Sequence, residues 1–291
     1  MHKFLRAAGF RDCRTRKEEK ELLSLLLREA VQTGRLTVPG DTSYVEYRCE
    51  LAQGMGVSLA GTEEADGEFQ LEYYFPYIIG TEESSREECS IQRHAERETY
   101  AGMLDEYKVG ISLIFYINNS MEYRIRKAQK KPAKVQSVNL AGMAVEGKVL
   151  LPIQKTARQI ELAKVAANNR NHLLEAAKQG DEDAMESLTI EDIDLYSKVS
   201  RRLAKEDVYS IIESCFMPCG VECDQYSIIG EIKEIHTLTN RISQEEIYRL
   251  TIECNDMVFD VAINQSDLLG EPKVGRRFKG QIWMLGNLNF Q

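Results

Sequence analysis

The sequence has no apolar run long enough to cross a bilayer. Its longest uncharged apolar stretches, such as VGISLIFYINNSM over 109–121, fall short of the roughly 18 residues that a spanning helix needs. The opening MHKFLRAAGFRDCR meets charge within a few residues, so no secretory signal is expected there. Catalytic signatures are missing as well. There is no G-x-x-x-x-G-K-[ST] phosphate loop, no G-x-S-x-G, no H-E-x-x-H and no kinase motif. Histidine is scarce: His2, His94, His172 and His236 are all there are, which leaves His-based catalysis few places to sit. An excess of positive charge is also lacking, with 46 acidic residues against 37 basic ones and a net charge of −9. A surface that grips nucleic acid all over would be net positive, so only a local basic patch could serve that purpose.

What is present is ordinary for a globular chain. A length of 291 residues suggests about two domains, at about 100–200 residues each. A hydrophobic fraction of 43% and a charged fraction of 29% provide for a sizeable core. The seven cysteines are odd in number and scattered, and reduced thiols in a cytoplasm are the expectation. No internal repeat or low-complexity segment is present.

Thr15 and Glu18 have the capping-box spacing. They open a helix with Leu22, Leu23, Leu26, Leu27 and Ala30 on one face, and Gly34 is the expected stop. YVEYRCEL (44–51) and EFQLEYYFPYIIG (68–80) read as strands. GMGVSLAG (54–61) has a Gly-x-Gly, but its third Gly is misplaced for a dinucleotide turn, so turn glycines are expected. GISLIFYI (110–117) and MEYRIR (121–126) read as a hairpin turning at Asn118–Ser120. VNLAGMAVEGKVLLPI (138–153) reads as a strand pair turning at Glu146-Gly147.

The pattern then becomes helical. Ile160, Ala163, Ala167, Leu174 and Ala177 share a face, and Gly180 ends that helix. A short helix is expected over 181–188 and another from Thr189, with Ile193, Tyr196, Val199 and Leu203 on one side. Beyond it, 226–236, 247–254, 257–263 and 276–290 read as strands, with Asn255-Asp256 as a tight turn. The expected fold class is therefore α+β: an N-terminal antiparallel-sheet domain with a helix (1–153), a helical bridge (154–210) and a small C-terminal β-barrel (211–291), OB-like or SH3-like.

Three cysteines stand close together in CFMPCGVEC: Cys215, Cys219 and Cys223. With HAE at 94–96 they resemble the His-x-Glu and Pro-Cys-x-x-Cys of zinc deaminases. The Cys219-x-x-x-Cys223 pair is one residue too long for that motif, and the alternating strand–helix pattern of a deaminase is absent. A different site remains, in which Cys215, Cys219 and Cys223 converge with Cys254 or His236 on zinc or an iron–sulfur cluster. The plainer reading is that these thiols are small hydrophobes.

Two basic clusters remain. RIRKAQKKPAK carries Arg124, Arg126, Lys127, Lys130, Lys131 and Lys134. KVGRRFK carries Lys273, Arg276, Arg277 and Lys279, near Phe278 and Trp283. Basic groups interleaved with aromatics suit single-stranded nucleic acid. Against that, residues 227–291 hold seven basic and nine acidic residues, a net −2. A solvated loop and a strand edge are the plainer reading.

Three stretches carry a resemblance. They are MHKFLRAAGF, then GDEDAMESLTIEDIDLYSKVSRRLAKEDVYSIIES running into FMPCGVECDQYSIIGEI, then DLLGEPKVGRRFKGQIWMLGNLNF. The chain resembles, end to end, an uncharacterised family of clostridial, Gram-positive bacteria, the domain-of-unknown-function family 3881. The resemblance implies a cytoplasmic bacterial protein with no activity to carry over and no catalytic residue to transfer. The function expected from the residues is a non-enzymatic binding or adaptor protein with a protein partner, no membrane and no cofactor. The alternatives are a nucleic-acid-binding protein acting through Lys273, Arg276, Arg277, Lys279 and Trp283, and a metalloprotein ligated by Cys215, Cys219 and Cys223.

Overall fold

A computed structural model describes residues 2–37, 43–64, 67–93, 99–106, 108–153, 156–203 and 206–291; the side chains at 157, 159, 160, 163, 164, 167, 178, 198, 199 and 203 are excepted. The chain divides into two units. One is Met1–Leu150 together with Ser214–Gln291, and the other is Leu151–Glu213.

The first unit opens on a 3-10 turn, Lys3–Ala8, which buries Phe4, Leu5, Ala7 and Ala8. Helix α1 (Arg16–Glu29) follows, and its capping box is complete. The Thr15 hydroxyl accepts the Glu18 N–H at 3.2 Å, and the Glu18 carboxylate accepts the Thr15 N–H at 2.8 Å. The expected stop at Gly34 is corrected: the helix ends at Glu29, and Gly34 lies inside a strand. Gly34 serves close packing instead, because a Cβ there would overlap Met121.

Four antiparallel strands form the smaller sheet in the order β1 (Val31–Thr37), β2 (Ser43–Ala52), β3 (Met55–Glu63) and β4 (Phe69–Ile78). Gly54 does hold a turn, at φ +67°, but most of GMGVSLAG is strand β3. There the glycines admit the neighbouring backbone: a Cβ at Gly56 would overlap the Cys49 carbonyl.

The larger sheet has ten strands. Its first three are β5 (Cys89–Arg93), β6 (Tyr100–Glu106) and β7 (Ile111–Ile117). The hairpin expected after β7 is corrected, because residues 120–128 are helix α2 (Ser120–Ala128). Met121 and Ile125 stand one turn apart and pack with Tyr44, Ala60, Leu36 and Tyr73 of the smaller sheet. Glu122 and Arg126 pair at 3.0 Å on the outer side. The strand pair expected over 138–153 is also corrected. Residues 135–150 are one strand, β8 (Val135–Leu150), and Gly147 is flat strand over the Phe278 ring.

The remaining strands are β9 (Cys215–Pro218), β10 (Gln225–Thr239), β11 (Glu246–Cys254), β12 (Met257–Asn264), β13 (Leu268–Leu269) and β14 (Arg277–Phe290). The β11–β12 turn is as expected, with Asn255 and Asp256 at φ 50° and 60°, the pair of left-handed residues a tight hairpin requires. The expected barrel of residues 211–291 is not formed. Strands β10, β11, β12 and β14 do not close on one another. Instead β8, from the chain's first half, pairs β12 in parallel and β14 antiparallel, from Arg277↔Leu150 to Phe290↔Val135. Left alone, β12 and β14 would each expose an unpaired edge, and the sixteen-residue β8 covers both. Strand β14 also pairs β7, which brings β6 and β5 into the same sheet.

Besides the small cluster under α2, two larger apolar clusters hold this unit together. Leu113, Phe115, Phe259, Phe278 and Met284 belong to one. The other gathers Phe4, Leu5, Leu26, Leu59, Met143 and Trp283.

The second unit holds α3 (Ala157–Lys178), α4 (Glu182–Leu203) and the short α5 (Val208–Ile211). Gly180, at φ +90°, separates the first two as expected. The two helices expected over 181–203 are one. Thr189 sits inside α4, its hydroxyl donating to the Met185 carbonyl at 2.8 Å, the back-bond by which helices absorb a threonine. Arg170 of α3 pairs with Asp192 of α4 at 2.9 Å.

Candidate functional site

The clustered cysteines are spread along β9 and the loop after it. Cys215 and Cys219 are half-buried and Cys223 is exposed. Burial pushes the Cys215 and Cys219 thiols up, away from the thiolate that binds metal. Cys254 is buried and its thiol donates to the Cys215 and Ile229 carbonyls, each at 3.2 Å. Burial pushes it up to about 12. His236 is exposed on β10 beside Glu234, at 3.3 Å. Among the described residues no group of three or more His, Cys, Asp or Glu is placed to hold a metal ion. His94 and Glu96 lie outside the described residues.

The C-terminal basic set divides between loop, strand and core. Lys273 pairs with Glu271 at 2.9 Å, and Arg276 donates to the Glu271 carbonyl at 2.9 Å. Lys279 stands on β14 directly opposite Lys148 of β8. Arg277 and Phe278 are buried. Trp283 is only 5% exposed. It stacks on Phe4 at 5.3 Å, and its indole N–H donates to Asp224 at 2.7 Å. Its face is thus committed to the core rather than offered to a base. The other basic cluster lies on and after α2, where the Arg124 guanidinium covers the Tyr44 ring at 4.1 Å.

A different constellation is built on the smaller sheet. Alternate residues of a strand share a face, so β2 sets Glu46, Arg48 and Glu50 in a row. Glu46 is buried. Its carboxylate accepts the Ser58 hydroxyl at 2.8 Å, the Thr33 hydroxyl at 2.9 Å and the Arg48 guanidinium at 3.3 Å. Arg48 also donates to the Asn118 carbonyl and lies over the Tyr77 ring at 4.9 Å. Burial pushes the Tyr77 hydroxyl up to about 12. Strands β2 and β4, through Glu46 and Tyr77, and the β7–α2 junction, through Asn118, therefore fix one guanidinium.

Cavities flank Arg48 on both sides. One, of about 820 Å³, runs past Val31, Glu50, Gln53 and Tyr77 toward Arg241. The other, of about 500 Å³, lies under α2 and is walled by Glu46, Met121, Arg126, Gln129 and Lys131. Thr33 and Arg48 line both. Arg241 braces the rim, donating to the Glu50 carbonyl at 2.7 Å and pairing with Glu29 at 3.1 Å. The Arg48 Nε and the Asn118 Oδ1 are buried with no hydrogen-bond partner among the described residues. Such orphans are uncommon in folded proteins. The arrangement can seat a ligand against a preset polar centre. It offers no nucleophile–base pair, since Ser58 hydrogen-bonds a carboxylate that Arg48 already neutralises.

Sequence reasoning missed this site. The alternation of Glu46, Arg48 and Glu50 in YVEYRCEL was the available signal, because a strand with one polar row beside Val45, Cys49 and Leu51 marks a sheet face that is not all core.

Fold and cleft together define an α+β protein with two sheets and a ligand-sized cleft on the smaller one. A family model described as a domain of unknown function, E. rectale gene description (DUF3881), matches residues 5–286, and the chain belongs to that family. Comparison with curated proteins and with solved structures gives no match. Among the described residues no helix is long and apolar enough to cross a membrane.

Proposed function

We propose that the protein is a non-enzymatic binding protein that holds an extended stretch of polypeptide in the cleft of the smaller sheet. One observation carries this reading: two cavities of about 820 and 500 Å³ meet at Thr33 and at an arginine fixed by Glu46, Tyr77 and Asn118. Ligand sites are concave, largely preformed and equipped with few polar groups. A protein partner, or a piece of one, fits an elongated trough better than a compact metabolite does. Of the C-terminal basic set, Lys279 lines a smaller cavity, of about 390 Å³, with Glu146 and Lys148.

Saturation-transfer NMR against a mixed pool of short peptides and small metabolites tests the reading. Val31 lines the wider cavity and is 69% exposed, so Val31→Trp fills the trough without disturbing the core. The wild-type protein is expected to show transfer to peptides, reduced at least five-fold by Val31→Trp and unchanged by Lys279→Ala. Transfer that survives Val31→Trp would overturn the assignment of the cleft.

A further inference from the structure

The charges that line the cleft sort into pairs with a remainder. Glu46 pairs with Arg48, Glu29 with Arg241 at 3.1 Å and Glu122 with Arg126 at 3.0 Å. These six groups cancel. Two charges of the lining are left over. Glu50, in the wider cavity, uses one carboxylate oxygen to accept the Gly54 N–H at 3.0 Å and has no cationic partner among the described residues. Lys131, in the cavity under α2, has no acidic partner among the described residues. The lining residues are therefore neutral as a set, with the leftover acid in the wider cavity and the leftover base in the cavity under α2.

We propose, resting on the reading of the cleft as a binding site, that its ligand is a short peptide with both termini free. The ammonium lies at Glu50 and the carboxylate at Lys131. Length supports the assignment. Glu50 and Glu46 are four strand residues apart, about 13 Å at about 3.3 Å per residue, and Lys131 lines the same cavity as Glu46. A single amino acid cannot span that distance, while an extended chain of about four residues can. The middle of the trough suits a peptide backbone. Arg48 lines both cavities there, and Asn119 lines the one under α2, so polar groups stand where a peptide backbone would pass. An isolated charge at each end also selects against wrong ligands. A polyanion would meet Glu50 and a polyamine would meet Lys131, and like charges brought together repel.

Equilibrium dialysis tests this with an equimolar mixture of unblocked tetrapeptides, read by mass spectrometry. The same mixture is run N-acetylated, C-amidated and doubly blocked. Each single block is expected to weaken retention five-fold or more, and the double block further. Glu50→Gln keeps the acceptor for Gly54 and should abolish only the sensitivity to acetylation. Lys131→Met, on an exposed residue, should abolish only the sensitivity to amidation. If the doubly blocked mixture is retained as well as the free one and Val31→Trp still releases it, the terminus assignment is overturned and the cleft stands. If Val31→Trp releases nothing, both are overturned. Retention of none of the mixtures overturns the peptide assignment, and the saturation-transfer screen then judges the cleft through its metabolites.

Discussion

Arg48→Ala is expected to cost about 3 kcal/mol of folding stability, at the lower end of what breaking a buried ion pair costs. The loss comes from what stays behind. Glu46 has a side chain only 6% exposed, and its counter-charge would be gone. Hydrogen bonds from Ser58 and Thr33 remain, which soften the loss but supply no positive charge. Arg48 itself retains 15% exposure, which is why the lower end applies. Replacing both partners, as Glu46→Gln with Arg48→Met, should cost markedly less than Arg48→Ala alone, because no unpaired charge is then left inside. Urea unfolding curves separate the cases. A midpoint for Arg48→Ala that matches wild type would contradict a buried, charged Glu46.

Phe115→Ala is expected to cost about 3–5 kcal/mol, the range for removing a fully buried aromatic. Phe115 has no exposure. Its ring lies across two glycines: a Cβ at Gly102 of β6 or at Gly286 of β14 would overlap it. Three neighbouring strands thus close on one ring. The same geometry predicts coupling. Gly286→Ala should be severely destabilising in the wild-type chain and much milder in Phe115→Ala, where the ring that it strikes is gone. A double-mutant cycle reads this as an interaction energy of more than about 1 kcal/mol. Additive costs would contradict the packing.

Much of the fold was legible in local chemistry. The Thr15–Glu18 box, the Asn255-Asp256 turn and the Gly180 break each depend on a few adjacent residues, and each is where the sequence puts it. The errors share a different cause. MEYRIR has the alternation of a strand, yet Met121 and Ile125 gain more by lying together on the smaller sheet as one turn of helix. Glu146-Gly147 looks like a turn because its glycine looks like a hinge, whereas Gly147 is there to make room for Phe278. The C-terminal strands were expected to close among themselves, but β12 and β14 pair with β8, more than sixty residues upstream of β10, and no local pattern announces a partner at that distance. The site was hidden for the same reason. Glu46 and Arg48 are neighbours in sequence, but Thr33, Ser58, Tyr77 and Asn118 join them only through strand register and the β7–α2 junction. The cysteines and the C-terminal basic residues drew attention because they cluster in sequence. In the fold, Trp283 turns inward and Cys223 outward.

Binding in the proposed manner requires that ligand enter the cleft at Arg48. Amide shift mapping tests it most directly, by titrating the tetrapeptide mixture into isotope-labelled protein. Shifts are expected at Thr33, Arg48, Gly54 and Gln129, which line the two cavities, with Val258 and Lys279 still. Shifts gathered at Lys273–Lys279 or at Cys215–Cys223, with Thr33 and Gly54 unmoved, would contradict it.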